Sequence, residues 1–336
     1  MSDLRRSKVT IKDLARLCEV SIGTIDRAIN NKPGISKNTR ERVLEVAKQN
    51  GYKPDRVAQS LQSGKTYEIG VIVHDLNNRF FSLLVDTIQQ IAWEHDYYIQ
   101  LAISLRDTKR EKEIIEHMLQ RNVDGILLFA TNTGADFYSY LRSIDKPIVL
   151  LSNRVQGPKG AEEIPFVGLN NCEVVNDALE EIVRRGYESI CFVSPYFDYS
   201  YKHNFYEIDQ RYRTFIRFMQ EHSIEHRVFN TEKYCEEISA MELHGKTAFF
   251  CASDIFALEV LNLFHDLGKS VPQDVGIMGF DNIDVLKYVR PGLSTINYPV
   301  DELGKTAFKL LIDIMGGKPS RTEKILDAKI IWRESI

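Results

Sequence analysis

At 336 residues, with 43% hydrophobic and 27% charged residues, the chain has the length of two or three core units and the make-up of a folded globular protein, which excludes disordered, collagenous and disulfide-stapled classes. The net charge of −4 is unevenly spread: residues 1–66 hold 14 Lys+Arg against 7 Asp+Glu, a balance of +7, and the rest hold 29 against 40, a balance of −11. A basic module on an acidic body is the asymmetry expected when one end meets phosphate and the other does not.

The chain opens MSDLRRSK, charge with no apolar segment behind it, so no secretory signal is expected there. Thr10 with Asp13 three residues on predicts a capped helix start, followed by Ile11, Leu14, Ala15 and Leu17 on the helix. After a break at Cys18-Glu19-Val20, Ser21 caps a second helix running to about Asn30. Asn31-Lys32-Pro33-Gly34 is a turn. Ser36 caps a third helix, with Val43, Leu44 and Ala47 facing inward, which stops at Asn50-Gly51. Three short helices with a tight turn between the first two predict a helix-turn-helix domain over 1–56. Residues 57–66 form a connector with one short helix-competent piece around Leu61.

From Tyr67 the texture changes. Apolar runs at 69–73, 98–103, 125–130 and 147–151 alternate with helices at 80–95, 109–121 and 135–144. The alternation resumes with runs at 165–169, 189–194, 248–253 and 275–280 and helices at 172–185, 208–221 and 255–267. Strands without polar alternation, separated by helices, predict parallel sheets covered on both faces. Two lobes are expected: an N-lobe of about 67–164 and 298–325, and a C-lobe of about 165–297 and 326–336. The loop Arg154–Glu163, rich in Gly, Pro and charge, reads as the first crossing between them.

The segment TIKDLARLCEVSIGTIDRAIN (10–30) resembles the helix-turn-helix of the lactose-repressor (LacI/GalR) family, with Thr10, Ile11, Asp13, Leu14, Ala15, Val20, Ser21, Thr24, Arg27 and Asn30 in register. The resemblance continues through Gly51-Tyr52-Lys53-Pro54, Val57-Ala58-Gln59-Ser60-Leu61, Phe80-Phe81, Gly279-Phe280-Asp281-Asn282 and Trp332-Arg333-Glu334-Ser335. It implies a transcriptional regulator, most simply a repressor, with an all-α helix-turn-helix head on a two-lobed α/β sensor like the periplasmic binding proteins. It further implies that Thr10, Ser21, Ile22, Gly23, Thr24, Arg27 and Asn30 serve DNA binding, with Ile22, Gly23 and Arg27 aimed at base edges, and that Leu61 wedges the minor groove. Arg27 is able to pair bidentately with guanine and Ile22 to touch a thymine methyl, whereas Gly23 has no side chain to read with. Three positions depart from the pattern: Cys18-Glu19 stand where Ala-Gly is usual, and Asp26 where Ser is common. Asp26 is expected to orient Arg27 or to face a neighbouring helix.

Ligands of parallel-sheet folds collect at the carboxyl ends of strands. The resemblance points there to Phe80 as a stacking face, Arg211 as a donor, and Asp254 as an acceptor for hydroxyls of a carbohydrate-like effector, with a helix N-cap as the other reading of Asp254; Asp281 is placed among the effector-binding residues, with a structural role in the turn after a buried strand as its other and favoured reading. Thr214 replaces the glycine usual three residues after the arginine.

No Gly-rich phosphate loop, GxSxG or HExxH occurs, so no catalytic residue, cofactor or metal is expected, and His222 and His226 read as solvated. Five scattered cysteines without CxxC spacing read as reduced thiols, and no apolar run approaches the ~18 residues of a membrane span. The expected location is the cytoplasm, at the nucleoid, with no membrane partner. The expected partners are pseudo-palindromic operator DNA, the effector, and a second copy, since one recognition helix per chain reads a half-site. The alternative is a receptor of periplasmic-binding type without a DNA role.

Overall fold

The computed structural model describes residues 9–53, 60, 64–195, 203–243, 245–318 and 322–336. The chain divides into two compact units, Met1–Thr66 and Tyr67–Ile336.

The first unit contains α1 (Ile11–Leu17), α2 (Ile22–Ile29) and α3 (Lys37–Gln49). Each helix starts where a side chain satisfies an otherwise unpaired N–H. The Thr10 hydroxyl accepts from the Asp13 N–H, whose carboxylate accepts from the Thr10 N–H at 3.0 Å. Ser21 and Ser36 accept from the Thr24 and Thr39 N–H groups at 3.2 and 3.1 Å. The helices close on Leu14, Cys18, Ile25, Ala28, Val43 and Ala47. Leu44, expected inward, is 45% exposed, because Val43 and Ala47 at i, i+4 already define the buried stripe of α3.

The second unit holds two six-stranded sheets. The N-lobe sheet is built from β1 (Glu68–Val73), β2 (Tyr98–Ile103), β3 (Gly125–Leu128), β4 (Ile148–Leu151), β5 (Phe166–Leu169) and β11 (Glu323–Leu326), in the order β11-β5-β4-β3-β1-β2 and parallel throughout. The C-lobe sheet is built from β6 (Ser189–Val193), β7 (Glu225–Phe229), β8 (Thr247–Cys251), β9 (Val275–Asp281), β10 (Ser294–Asn297) and β12 (Lys329–Ile331), in the order β12-β10-β9-β8-β6-β7. Its one antiparallel pair is β10 with β12. The helices are α4 (Arg79–Glu94), α5 (Thr108–Gln120), α6 (Ala135–Arg142), α7 (Asn171–Arg184), α8 (Tyr206–Glu221), α9 (Tyr234–Ser239), α10 (Asp254–Asp266) and α11 (Val300–Met315). A 3₁₀ turn spans Asp284–Tyr288.

Central strands such as β3, β4, β6 and β8 are buried at every position, as expected when helices cover both faces. One boundary differs from the expectation. Residues 165–169 were assigned to the C-lobe, but β5 pairs with β4 and β11 in the N-lobe sheet. The Arg154–Glu163 loop therefore returns to its own sheet, anchored by the Tyr138 hydroxyl on the Glu162 carbonyl and by Arg154 on Glu163 at 2.8 Å. A four-residue strand buried on both faces needs strand neighbours for its backbone, and the open edge of β4 supplies one. The chain crosses between lobes at 170, at 298–299 and at 327–328, and both β11 and β12 are added by the last sixteen residues.

Candidate functional site

In the first unit, α2 turns Ile25 and Ala28 inward and leaves Ser21, Ile22, Gly23, Arg27 and Asn30 on its outer side, Ile22 at 46% exposure. Nearly half of this isoleucine side chain at the helix's first position is open to contact. Gly23 is not required by the fold: a Cβ there would meet only Ser21 Oγ, at an ordinary 3.7 Å. Thr24 is half-buried, its hydroxyl 3.0 Å from Ser21 Oγ. Thr10 is engaged in the α1 cap. Asn30 closes α2, its Nδ2 donating to Asp26 Oδ1 at 2.7 Å.

Asp26 is bound by Asn30 and by Lys32, whose Nζ donates to Oδ2 at 2.9 Å. The Lys32 bond holds its carboxyl below the usual range. The acid on this helix is thus neutralised by the following turn, and neither Arg27 nor a neighbouring helix is its hydrogen-bond partner. Glu19, standing where glycine is usual, adopts φ 52°, so the tight turn keeps its left-handed residue despite the side chain. Leu61 lies outside the described residues.

In the second unit, one cavity of about 720 Å³ including its mouth lies at the carboxyl ends of strands from both sheets. Phe80, at the start of α4, forms its apolar wall with Phe81, Phe129 and Tyr298, the Phe80 and Tyr298 rings meeting edge to face at 5.0 Å. The Tyr298 hydroxyl is tied to Ser152 Oγ at 2.7 Å. His74 follows β1 and packs between Phe81 and Phe129; burial pushes its imidazole down to about 3, so it is neutral near pH 7.

Arg211 enters from α8. Its Nε donates to Asn171 Oδ1 at 3.0 Å, its Nη1 donates to the Ala252 carbonyl at 2.8 Å, and the guanidinium lies 3.4 Å over the Phe280 ring. Thr214 does not disturb this placement, because its hydroxyl donates back to the Gln210 carbonyl at 2.8 Å within the helix. Asp281 lines the cavity, accepts from Ser253 Oγ at 3.0 Å, and has φ 114°. Burial pushes its carboxyl up to about 6, against the pull of Arg211.

The structure separates the two aspartates expected at the effector site. Asp254 is fully buried and does not line the cavity. Its carboxylate accepts from the Ile283 N–H at 2.9 Å and from Thr295 Oγ1 at 2.6 Å, tying α10 to β10 and to the segment after β9. Gly279 in β9 leaves the room, since a Cβ there would collide with Asp254 Oδ1. Burial, then the charge of Asp281, push Asp254 up to about 8. Asp281, named both as an effector contact and as a turn residue, is the aspartate at the cavity surface. Both follow apolar strands, so their local sequence did not separate them.

Glu207 and Asn204 were missed. Glu207 lies in the cavity wall four residues before Arg211, on the same face of α8, and its Oε2 accepts from Asn171 Nδ2. The available signal was the i, i+4 acid–arginine pair on the face of a helix that otherwise turns Thr214, Phe215, Phe218 and Met219 inward. Asn204 joins the lobes: its N–H donates to the Thr131 carbonyl at 2.7 Å, and its Nδ2 reaches the carbonyls of Asn132 and Arg154. Among the described residues no group of three or more His, Cys, Asp or Glu could hold a metal ion, and no helix is long and apolar enough to cross a membrane.

Comparison with known proteins agrees with this geometry. Residues 10–55 match the model of the bacterial regulatory proteins of the lacI family, and residues 179–336 match a periplasmic binding protein-like domain. The chain is 31% identical to catabolite control protein A of Priestia megaterium, over 91% of this chain and 92% of that protein. It is 27% identical to the ribose operon repressor of Halalkalibacterium halodurans, over 97% and 96%. In fold, it superposes on the lac repressor dimer bound to operator and the anti-inducer ONPF with a TM-score of 0.84, at 20% identity, covering 98% of this chain and 99% of that one. A LacI family regulator of Enterococcus faecium with bound ribose matches at a TM-score of 0.67 and 26% identity, over 80% and 98%. With a capped, outward-facing helix-turn-helix on one unit and a strand-end cavity in the other, and with near full-length kinship to these regulators, the chain belongs to the lacI family of bacterial regulatory proteins.

Proposed function

We propose that this chain, as a homodimer, reads a pseudo-palindromic operator with the outer face of α2, and that a carbohydrate-like molecule in the cavity of the second unit changes its affinity for that DNA. The observation that carries the reading is the exposed outer face of α2, where exposed Ile22 and Arg27 flank a glycine that the fold does not need. Such a surface suits the major groove, where an apolar side chain and an arginine read base edges while a helix without side-chain bulk at one position approaches closely. The cavity suits a ring with an apolar face and polar edges: aromatic rings on one wall, Arg211 and Asp281 on another. Repression is the simplest output, since a bound dimer occludes its site.

Binding of selected genomic fragments, titrated at several salt concentrations, tests the DNA reading. Log affinity is expected to fall linearly with log salt, because the +7 head of each protomer displaces counterions from phosphate; a flat response would remove it. Calorimetry with carbohydrates, with and without operator, tests the coupling, which must be equal in both directions.

A further inference from the structure

Two polar atoms in the cavity wall are buried without a hydrogen-bond partner: Glu207 Oε1 and His74 Nε2. The two residues line the cavity from different lobes, His74 beyond β1 and Glu207 from the first turn of α8. Both are acceptors. The carboxylate oxygen has only lone pairs to offer when ionised, and the neutral imidazole gives its proton to the Ala130 backbone. A buried acceptor left unpaired is costly, and the cost is recovered by whatever brings it a donor.

The position of Glu207 is fixed. Its Oε2 takes the Asn171 amide, and its N–H donates to Asn153 Oδ1 at 3.4 Å. The neighbouring guanidinium does not cover Oε1: Arg211 Nη2 lies 3.7 Å from the other oxygen, and its Nε and Nη1 are committed to Asn171 and the Ala252 carbonyl. The cavity lining holds two carboxylates, Glu207 and Asp281, and two guanidiniums, of which Arg211 is committed as above and Arg106 has Asp75, outside the lining, at 3.9 Å. An anionic ligand would meet a carboxylate oxygen where it needs a donor.

Resting on the effector reading above, we propose that Glu207 sets the chemical class of the effector: the cavity takes a ligand that brings hydroxyl or ammonium donors to Glu207 and His74 from the two lobes, and it rejects phosphate esters and carboxylates. The donor requirement also joins the lobes, because one ligand answers an acceptor on each.

Full-length protein at pH 8, where Glu207 is mainly ionised, is titrated calorimetrically with matched sets: neutral aldopentoses and aldohexoses, their amino-deoxy forms, and their phosphate esters. A parent or amino sugar is expected to bind, and its phosphate ester to bind at least about tenfold more weakly. In Glu207→Gln, which presents an amide donor in place of the acceptor, that gap should shrink to about twofold and the parent should weaken by about tenfold. A phosphate ester that binds the wild-type protein as tightly as its parent overturns the proposal and leaves the effector reading intact. A gap unchanged in folded Glu207→Gln removes Glu207 as its cause. If no probe in any set binds, the effector reading and the proposal both fall. The wild-type comparison decides the class even if the variant fails to fold, and Glu207→Asp, which keeps the charge on a shorter arm, should still reject the phosphate while losing affinity for the parent.

Discussion

Gly23 and Ile22 separate what the fold needs from what recognition needs. Because a Cβ at Gly23 meets nothing closer than 3.7 Å, Gly23→Ala should fold normally and gain up to about 1 kcal/mol of helix stability. Operator affinity should nevertheless fall, since the added methyl stands on the outer face of α2. Thermal melting and operator titration of the same sample check this; a variant that melts higher and binds DNA unchanged would remove Gly23 from the interface. The two buried aspartates give the second contrast. Asp254→Ala strands the Ile283 N–H and the Thr295 hydroxyl and should cost about 2–4 kcal/mol of stability. Asp281→Ala should chiefly lose ligand affinity. Calorimetric unfolding and ligand titration of both variants distinguish them, and equal destabilisation would return Asp281 to a structural role.

Glu207 adds a pH dependence of known sign. Burial pushes its carboxyl from about 4.5 up to about 7 in the folded chain, so the folded state holds a proton that the unfolded chain has released between those values. Its contribution is most favourable below pH 4.5 and is lost as pH rises through 7. Glu207→Gln does not titrate, so its stability relative to the wild type should rise between pH 4.5 and 8, by an amount on the order of 3 kcal/mol. Denaturant melts across that range measure it, and a constant difference would show that the carboxyl ionises normally.

At the scale of elements, the lobes are joined by Arg79 of α4 and Asp284 of the 3₁₀ turn, a bidentate pair at 2.9 and 3.0 Å. Both side chains are over two-fifths exposed, so water and salt screen the pair. Arg79→Ala should weaken ligand binding by less than about fivefold and reduce its salt dependence. The Asn204 contacts are shielded from water by comparison, and Asn204→Ala, which removes the side-chain bonds to two N-lobe carbonyls, should weaken it more. Ligand titrations at low and high salt rank the two, and the opposite ranking would place the main tie between the lobes at the exposed pair.

For the whole molecule, the sequence alone determined the three capped helices, the basic head and the parallel α/β class. Those features are written in local signals: a capping hydroxyl, a charge balance, an apolar run, a four-residue spacing. Tertiary structure alone decided three others. The lobe of Phe166–Leu169 depends on which sheet edge is open, and no residue within the strand encodes that. The separation of Asp254 from Asp281 depends on where Ile283, Thr295 and Gly279 fall around two carboxylates at the ends of similar strands. Glu207 becomes a site residue only when α8 carries it into a cavity shared with His74, more than 130 positions away in the chain. Burial, the property that shifts its proton affinity and leaves Oε1 unpaired, is a sum over distant segments, and a local reading of the chain does not contain it.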